Sequence, residues 1–161
     1  MDASVCRQRL AAILAEEVAA LDELGAFLER EHGHLTAKDV AALETAIRER
    51  QRTVARVVRA DEERAALCRQ VGQPGDAPGI ERVLKWCDAD GVLAAEWMRC
   101  RAAAAQCRAL NDRNSALAGA RLRHVQARLA LLFSGRGETV GYGKGGAYAL
   151  GTVGRVVKVE A

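Results

Sequence analysis

Aromatic residues and prolines are scarce in this chain. Of 161 residues, six are aromatic (Phe27, Trp86, Trp97, Phe133, Tyr142, Tyr148) and two are proline (Pro74, Pro78). That is too few for a large enzyme core or for the turn-rich sheets of sandwiches and barrels. No apolar run approaches the roughly 18 residues that span a bilayer, so no stable membrane insertion is expected. Single-sign charge tracts are also missing. The 24 basic and 21 acidic side chains are mixed along the chain and leave a net charge of +3, which offers no polybasic surface for nucleic acid or anionic lipid. The five cysteines (Cys6, Cys68, Cys87, Cys100, Cys107) include no CxxC pair. This excludes a zinc ribbon and a disulfide framework and suits free thiols acting as small core residues. The start, MDASVCRQRL, lacks the charged-then-apolar order of a signal peptide, and a cytoplasmic location is expected.

What the chain has in quantity is helix formers. Ala, Leu, Glu, Lys and Arg account for 86 of the 161 residues, the proportion of long helices and coiled coils. Glycine is unevenly placed: eight of 15 fall in residues 134–161, against two, Gly25 and Gly33, in residues 1–71. The expected fold is therefore all-α. It comprises an elongated antiparallel helical hairpin plus a long third helix, a three-helix bundle or coiled coil, with a flexible Gly-rich C-terminal tail.

Periodicity sets the elements. Leu10, Leu14, Leu21, Leu24, Leu28 and Leu35 mark a helix over about 4–35, with Glu17 and Glu31 standing where apolar residues are due. A break at 34–38 precedes a second helix over about 39–71, carrying Val40, Leu43, Ile47, Val54 and Val57. Asp39 and Thr36 are rival caps for its start. The short connection predicts that the two helices fold back on each other. GQPGDAPG, residues 72–79, reads as a loop, followed by a short helix over about 80–88. The third long helix is expected over about 92–133, with a stripe of Leu93, Trp97, Cys100, Ala104, Cys107, Asn111, Asn114, Ala118 and Val125 widening to Leu129, Leu132 and Phe133. Residues 2–35 carry seven acids against three bases, and residues 92–133 two acids against seven bases, so the first and third long helices have complementary charge. The division expected is a helical bundle over 1–133 and a tail over 134–161.

Catalytic and cofactor chemistry find no support in the pattern. GYGKGG (141–146) matches the letters of GxGxxG, yet it follows a helix and not a strand, and no helical period comes after it, so it is no pyrophosphate site. The P-loop spacing fails as well. His32 and His34 lie two apart and His124 is distant; no cluster joins them at ligand spacing, and they read as solvated residues with no metal. The adjacent acids Glu16-Glu17, Asp22-Glu23 and Glu62-Glu63 diverge by about 100° around a helix and read as solvated faces. No enzyme activity and no cofactor are expected.

Two features point to partners. Asn111 and Asn114 stand on the third long helix where apolar residues belong. Buried, such residues fix register or partner choice; the other reading is an exposed pair where the bundle is thin. The tail is glycine-rich but carries Val140, Tyr142, Tyr148, Leu150, Val153, Val156, Val157 and Val159, which a pure linker would not. Apolar anchors on glycine hinges suit a segment that orders on a partner, by helix formation or strand addition. Folding back over its own bundle is the alternative. Leu129, Leu132 and Phe133 with Tyr142 and Tyr148 make the expected partner surface.

The order of features resembles the FlgN family of flagellar type III export chaperones. Three stretches carry the resemblance: LEREHGHLTAKDVAALETAIRERQ (28–51), the Asn111-x-x-Asn114-x-x-Leu117 signature, and YGKGG (142–146). The resemblance implies a small helical cytoplasmic chaperone without catalysis. It implies binding of the hook-filament junction proteins FlgK and FlgL through their C-terminal helical parts, prevention of their early assembly, and delivery to the export gate. It places cargo binding towards the C-terminus and brings Asn111, Asn114 and Leu117 into the site, in contact with cargo or fixing the bundle. The departures are the apolar end VGRVVKVEA and the SGRGETVG stretch before YGKGG. A self-associating coiled-coil scaffold or regulator is the reading from another class.

Overall fold

The structure, a computed structural model, describes residues 1–134, 138–142 and 148–152, with side chains through residue 132. Four helices occupy most of it: α1 (Ala3–Ala37), α2 (Val40–Gln70), α3 (Ala77–Cys87) and α4 (Val92–Ser134). Each start has a local cause. Asp2 caps α1 by accepting from the Val5 N–H at 2.9 Å, and Asp39 caps α2 by accepting from the Ala42 N–H at 3.0 Å. This decides between the two candidate caps. Thr36 instead lies inside α1 and donates to the His32 carbonyl at 2.8 Å.

The first helix runs past its expected end because Lys38 closes it in a left-handed conformation (φ 62°), while the Asp39 N–H reaches back to the His34 carbonyl at 3.1 Å. The connection to α2 is thus two residues. The third helix begins three residues before the expected position. Asp76 accepts from the Gly79 N–H at 2.9 Å, and Pro78 is tolerated in the first turn, where no backbone donor is needed. Gly79 is obligatory there, since a Cβ would stand 1.8 Å from the Pro74 carbonyl oxygen.

The chain divides into two compact units, Met1–Ser115 and Ala116–Ala161. In the first, α2 folds back along α1, and the ion pairs run antiparallel: Arg64 to Glu17, Arg56 to Glu16 and Glu23, Arg50 to Glu31. α4 lies beside α1 in the same direction, with Cys107 donating to the Leu21 carbonyl and Asn114 to the Leu28 carbonyl. The charge complementarity of these helices is realised as Arg99–Asp22 at 3.3 Å and Arg113–Glu29 at 2.8 Å. Both pairs are exposed, so they orient more than they stabilise. The core holds Leu10, Leu14, Leu28, Leu67, Ile80 and Val83, and α3 closes it at the end where α1 begins and α2 finishes.

In the second unit, the tail departs from a uniformly flexible segment. β1 (Glu138–Tyr142) pairs antiparallel with β2 (Tyr148–Thr152), with Val140 opposite Leu150 and Tyr142 opposite Tyr148. The β-branched and aromatic positions spaced between glycines give the backbone enough strand propensity to pair.

Candidate partner-binding surfaces

Two acids that interrupt the α1 stripe are buried and partnered, not solvated. Glu17 accepts from Arg64 Nε at 3.0 Å with both side chains only 7% exposed, and the Arg64 guanidinium also meets Asp61 and stacks 4.7 Å from the Trp97 ring. Arg64 carries no periodic signal that sequence reasoning could use; its role depends on a helix that lies next to α1 only after folding. Nearby, burial pushes the Cys100 thiol up to about 12, with the Glu17 carboxylate adding to the shift. Burial, then the neighbouring Cys6 thiol, takes Cys87 up to about 11. All five cysteines are free and buried, and such protonated thiols are inert.

The second buried acid organises the far end of this unit. Glu31 meets Arg50 Nη1 at 3.1 Å through one oxygen, while its other oxygen is buried without a partner. Desolvation holds its carboxyl above the ordinary value of 4.5, against the opposing pull of Arg50 and Asn114. Asn114 is buried and its amide donates to the Leu28 carbonyl at 2.7 Å. Its Oδ1 therefore faces His32 Nδ1, at 3.1 Å, as the acceptor. His32 is thus half-buried in a polar network, correcting its reading as a solvated turn residue.

The asparagine pair splits. Asn114 takes the inward, register-fixing role, whereas Asn111 is exposed and Leu110 occupies the core position expected of it. The helical period does not separate 107, 110, 114 from 107, 111, 114, since both alternate by three and four; the packing of α4 against α1 does.

Beyond residue 115, α4 presents a line at three- and four-residue spacing: Leu122, Val125, Leu129 and Leu132. Leu122 and Val125 are half exposed, Leu132 is more so, and Leu129 is half-buried. Leu117 is half-buried as well. Arg121, Arg123 and Arg128 flank this line, and residues 116–134 hold no acid. Sequence reasoning missed Leu122, although its spacing to Val125 and Leu129 was the available signal. Phe133 is the next-to-last residue of α4, and Val140, Tyr142, Tyr148 and Leu150 stand on β1 and β2; their side chains lie outside the described residues.

A depression of about 350 Å³ between α3 and α4 is lined by Leu84, Lys85, Asp88, Ala94, Trp97 and Met98, with Glu81 at its edge. Asp88 belongs to the framework, accepting from the Ala94 N–H at 2.8 Å to start α4. Among the described residues no group of three or more His, Cys, Asp or Glu is placed to hold a metal ion, and no helix is long and apolar enough to cross a membrane.

Residues 1–149 match the family model described as FlgN protein. The chain belongs to the FlgN family. The match takes in all four helices and β1, so both the buried polar network and the apolar line on α4 lie inside the FlgN region. FlgN proteins are flagellum-associated chaperones that act on other flagellar proteins. No curated protein and no solved structure matches the chain.

Proposed function

We propose that this FlgN-family protein is a cytoplasmic export chaperone, without enzymatic activity, for hook-filament junction proteins of the FlgK and FlgL kind. It covers their terminal helices against premature assembly and hands them to the type III export gate. The observation that carries the reading is the apolar line Leu122, Val125, Leu129 and Leu132 on α4, of which all but the half-buried Leu129 are exposed. Apolar positions at this spacing suit an amphipathic helix laid alongside. The flanking arginines favour a cargo helix with acidic borders. Residues 134–161, with Val140, Tyr142, Tyr148 and Leu150, form the remainder of the proposed cargo segment. Asn111 and Leu117 join from the adjoining stretch of α4, Asn111 by its exposure, while Asn114 serves by fixing the register beneath them.

Co-purification tests this with the full chain and a version ending at Phe133, each offered the C-terminal segments of FlgK-like and FlgL-like proteins and sized by light scattering. A discrete complex with the full chain, weakened by truncation and by Leu129→Glu with Leu132→Glu, is expected. Absence of binding by either version, together with a large stable oligomer, would replace the chaperone by a self-associating scaffold.

A further inference from the structure

A second apolar line lies on α2 and is independent of the chaperone reading. Val40, Ile47, Val54 and Val58 are between 36% and 66% exposed. Ile47 and Val54 each follow a buried residue, Ala46 and Thr53, so the line sits about 100° round the helix from the seam that packs into the hairpin. Val40 to Val58 spans about 27 Å at 1.5 Å per residue. Single exposed apolar residues are ordinary; four β-branched ones spaced seven, seven and four apart form a continuous strip on one helix face.

The charges beside the strip suggest what covers it. On the side away from the hairpin stand Glu44, Arg48, Arg59 and Glu62, all exposed. If a second α2 lies antiparallel against the first, with the two-fold axis near Gln51, Ile47 of each copy meets Val54 of the other and Val58 meets Leu43. The same register sets Glu44 opposite Arg59 twice, and places Arg48 and Glu62 opposite Ala55 and Ala41, while Arg52 of the two copies comes together beside the axis at the solvent edge of this border. Arg59 bonds its neighbour Glu63 at 2.8 Å and also feels Glu16 of α1, but is 80% exposed. On the inner side, the charge nearest the axis, Arg50, is already tied to Glu31. A surface whose apolar line and border charges complement themselves under two-fold rotation is what an isologous dimer requires.

We infer that the Leu43–Val58 face of α2 pairs with the same face of a second copy of this chain, antiparallel about Gln51, with Val40 beyond the paired stretch. Sedimentation velocity of the full chain across a concentration series tests it. A monomer–dimer equilibrium is expected, weakened at least tenfold by Ile47→Glu with Val54→Glu. Glu44→Arg and Arg59→Glu are each expected to weaken it and their combination to restore it; these surface positions leave the core untouched, and far-UV circular dichroism verifies the fold. Because the native thiols are buried, an added surface cysteine reports alone: under diamide, Gln51→Cys is expected to give a disulfide-linked dimer and Val40→Cys not to. A chain that stays monomeric to 100 μM in order of magnitude, a dimer indifferent to Ile47→Glu with Val54→Glu, or equal cross-linking at 40 and 51, which marks parallel pairing, would overturn it. So would a monomer whose Ile47→Glu, Val54→Glu form loses binding to junction-protein segments, since the strip would then serve cargo.

Discussion

Arg64→Ala is expected to be the most damaging single substitution in residues 1–115. Removing the guanidinium leaves Glu17, 7% exposed, without its 3.0 Å partner in the core between α1, α2 and α4. It also strips the cation from the Trp97 face, 4.7 Å away. The Cys100 thiol, itself buried beside Glu17, is too weak a donor to compensate. Breaking a buried pair from one side costs about 3–5 kcal/mol, a fifth or more of the roughly 5–15 kcal/mol by which domains of this size are stable. Glu17→Ala is expected to cost less, because Arg64 keeps Asp61, whose carboxylate is largely exposed. Replacing both together, Glu17→Leu with Arg64→Met, removes the desolvation penalty along with the attraction, and the double variant is expected to match or exceed the parent by up to about 4 kcal/mol. Urea unfolding followed at 222 nm, with slopes compared to ensure a common unfolded state, measures all four chains. An Arg64→Ala cost below about 1 kcal/mol, or a double variant as unstable as the sum of the singles, would refute the claim that this pair is coupled and desolvated.

Two further substitutions separate the roles assigned to neighbouring residues. Asn114→Ala removes the donor to the Leu28 carbonyl and the acceptor for His32, and is expected to cost about 1–3 kcal/mol, whereas Asn111→Ala, exposed, should change stability by less than about 0.5 kcal/mol; denaturant midpoints of the pair decide it. Glu31 bears on pH. Its folded-state pKa is raised by desolvation, so folding favours the protonated form, and the stability it lends is complete below its ordinary value of 4.5 and lost as pH rises through the raised folded value. Glu31→Gln is therefore expected to melt above the parent at pH 7, with the gap closing towards pH 4; a lower melting temperature at pH 7 would mean that the attraction of Arg50 outweighs burial.

The helical class, a short reversal before Asp39 and the charge matching of α1 and α4 were legible in the sequence. They follow from local causes: side-chain periodicity, capping chemistry, glycine distribution and net charge of contiguous stretches. The cap Asp39 acts within three residues of its partner, which is why its chemistry is visible along the chain, whereas Asp2 and Asp76 were recognised as caps only in the structure. Glu17 and Glu31 looked like flaws in a stripe because their partners, Arg64 and Arg50, are 47 and 19 residues away and nothing local links them. Asn111 and Asn114 were indistinguishable in the sequence, three residues apart on one expected face. Which of the two turns inward depends on the packing phase accumulated along α4 from Trp97, Cys100 and Cys107, and so on the surface of α1 against which α4 comes to rest. The strip on α2 had the same origin: Val40, Ile47 and Val54 look like core positions by period, and only the direction in which α1 and α4 approach α2 assigned the core to Ala46, Thr53 and Ala60 and left the valines facing water.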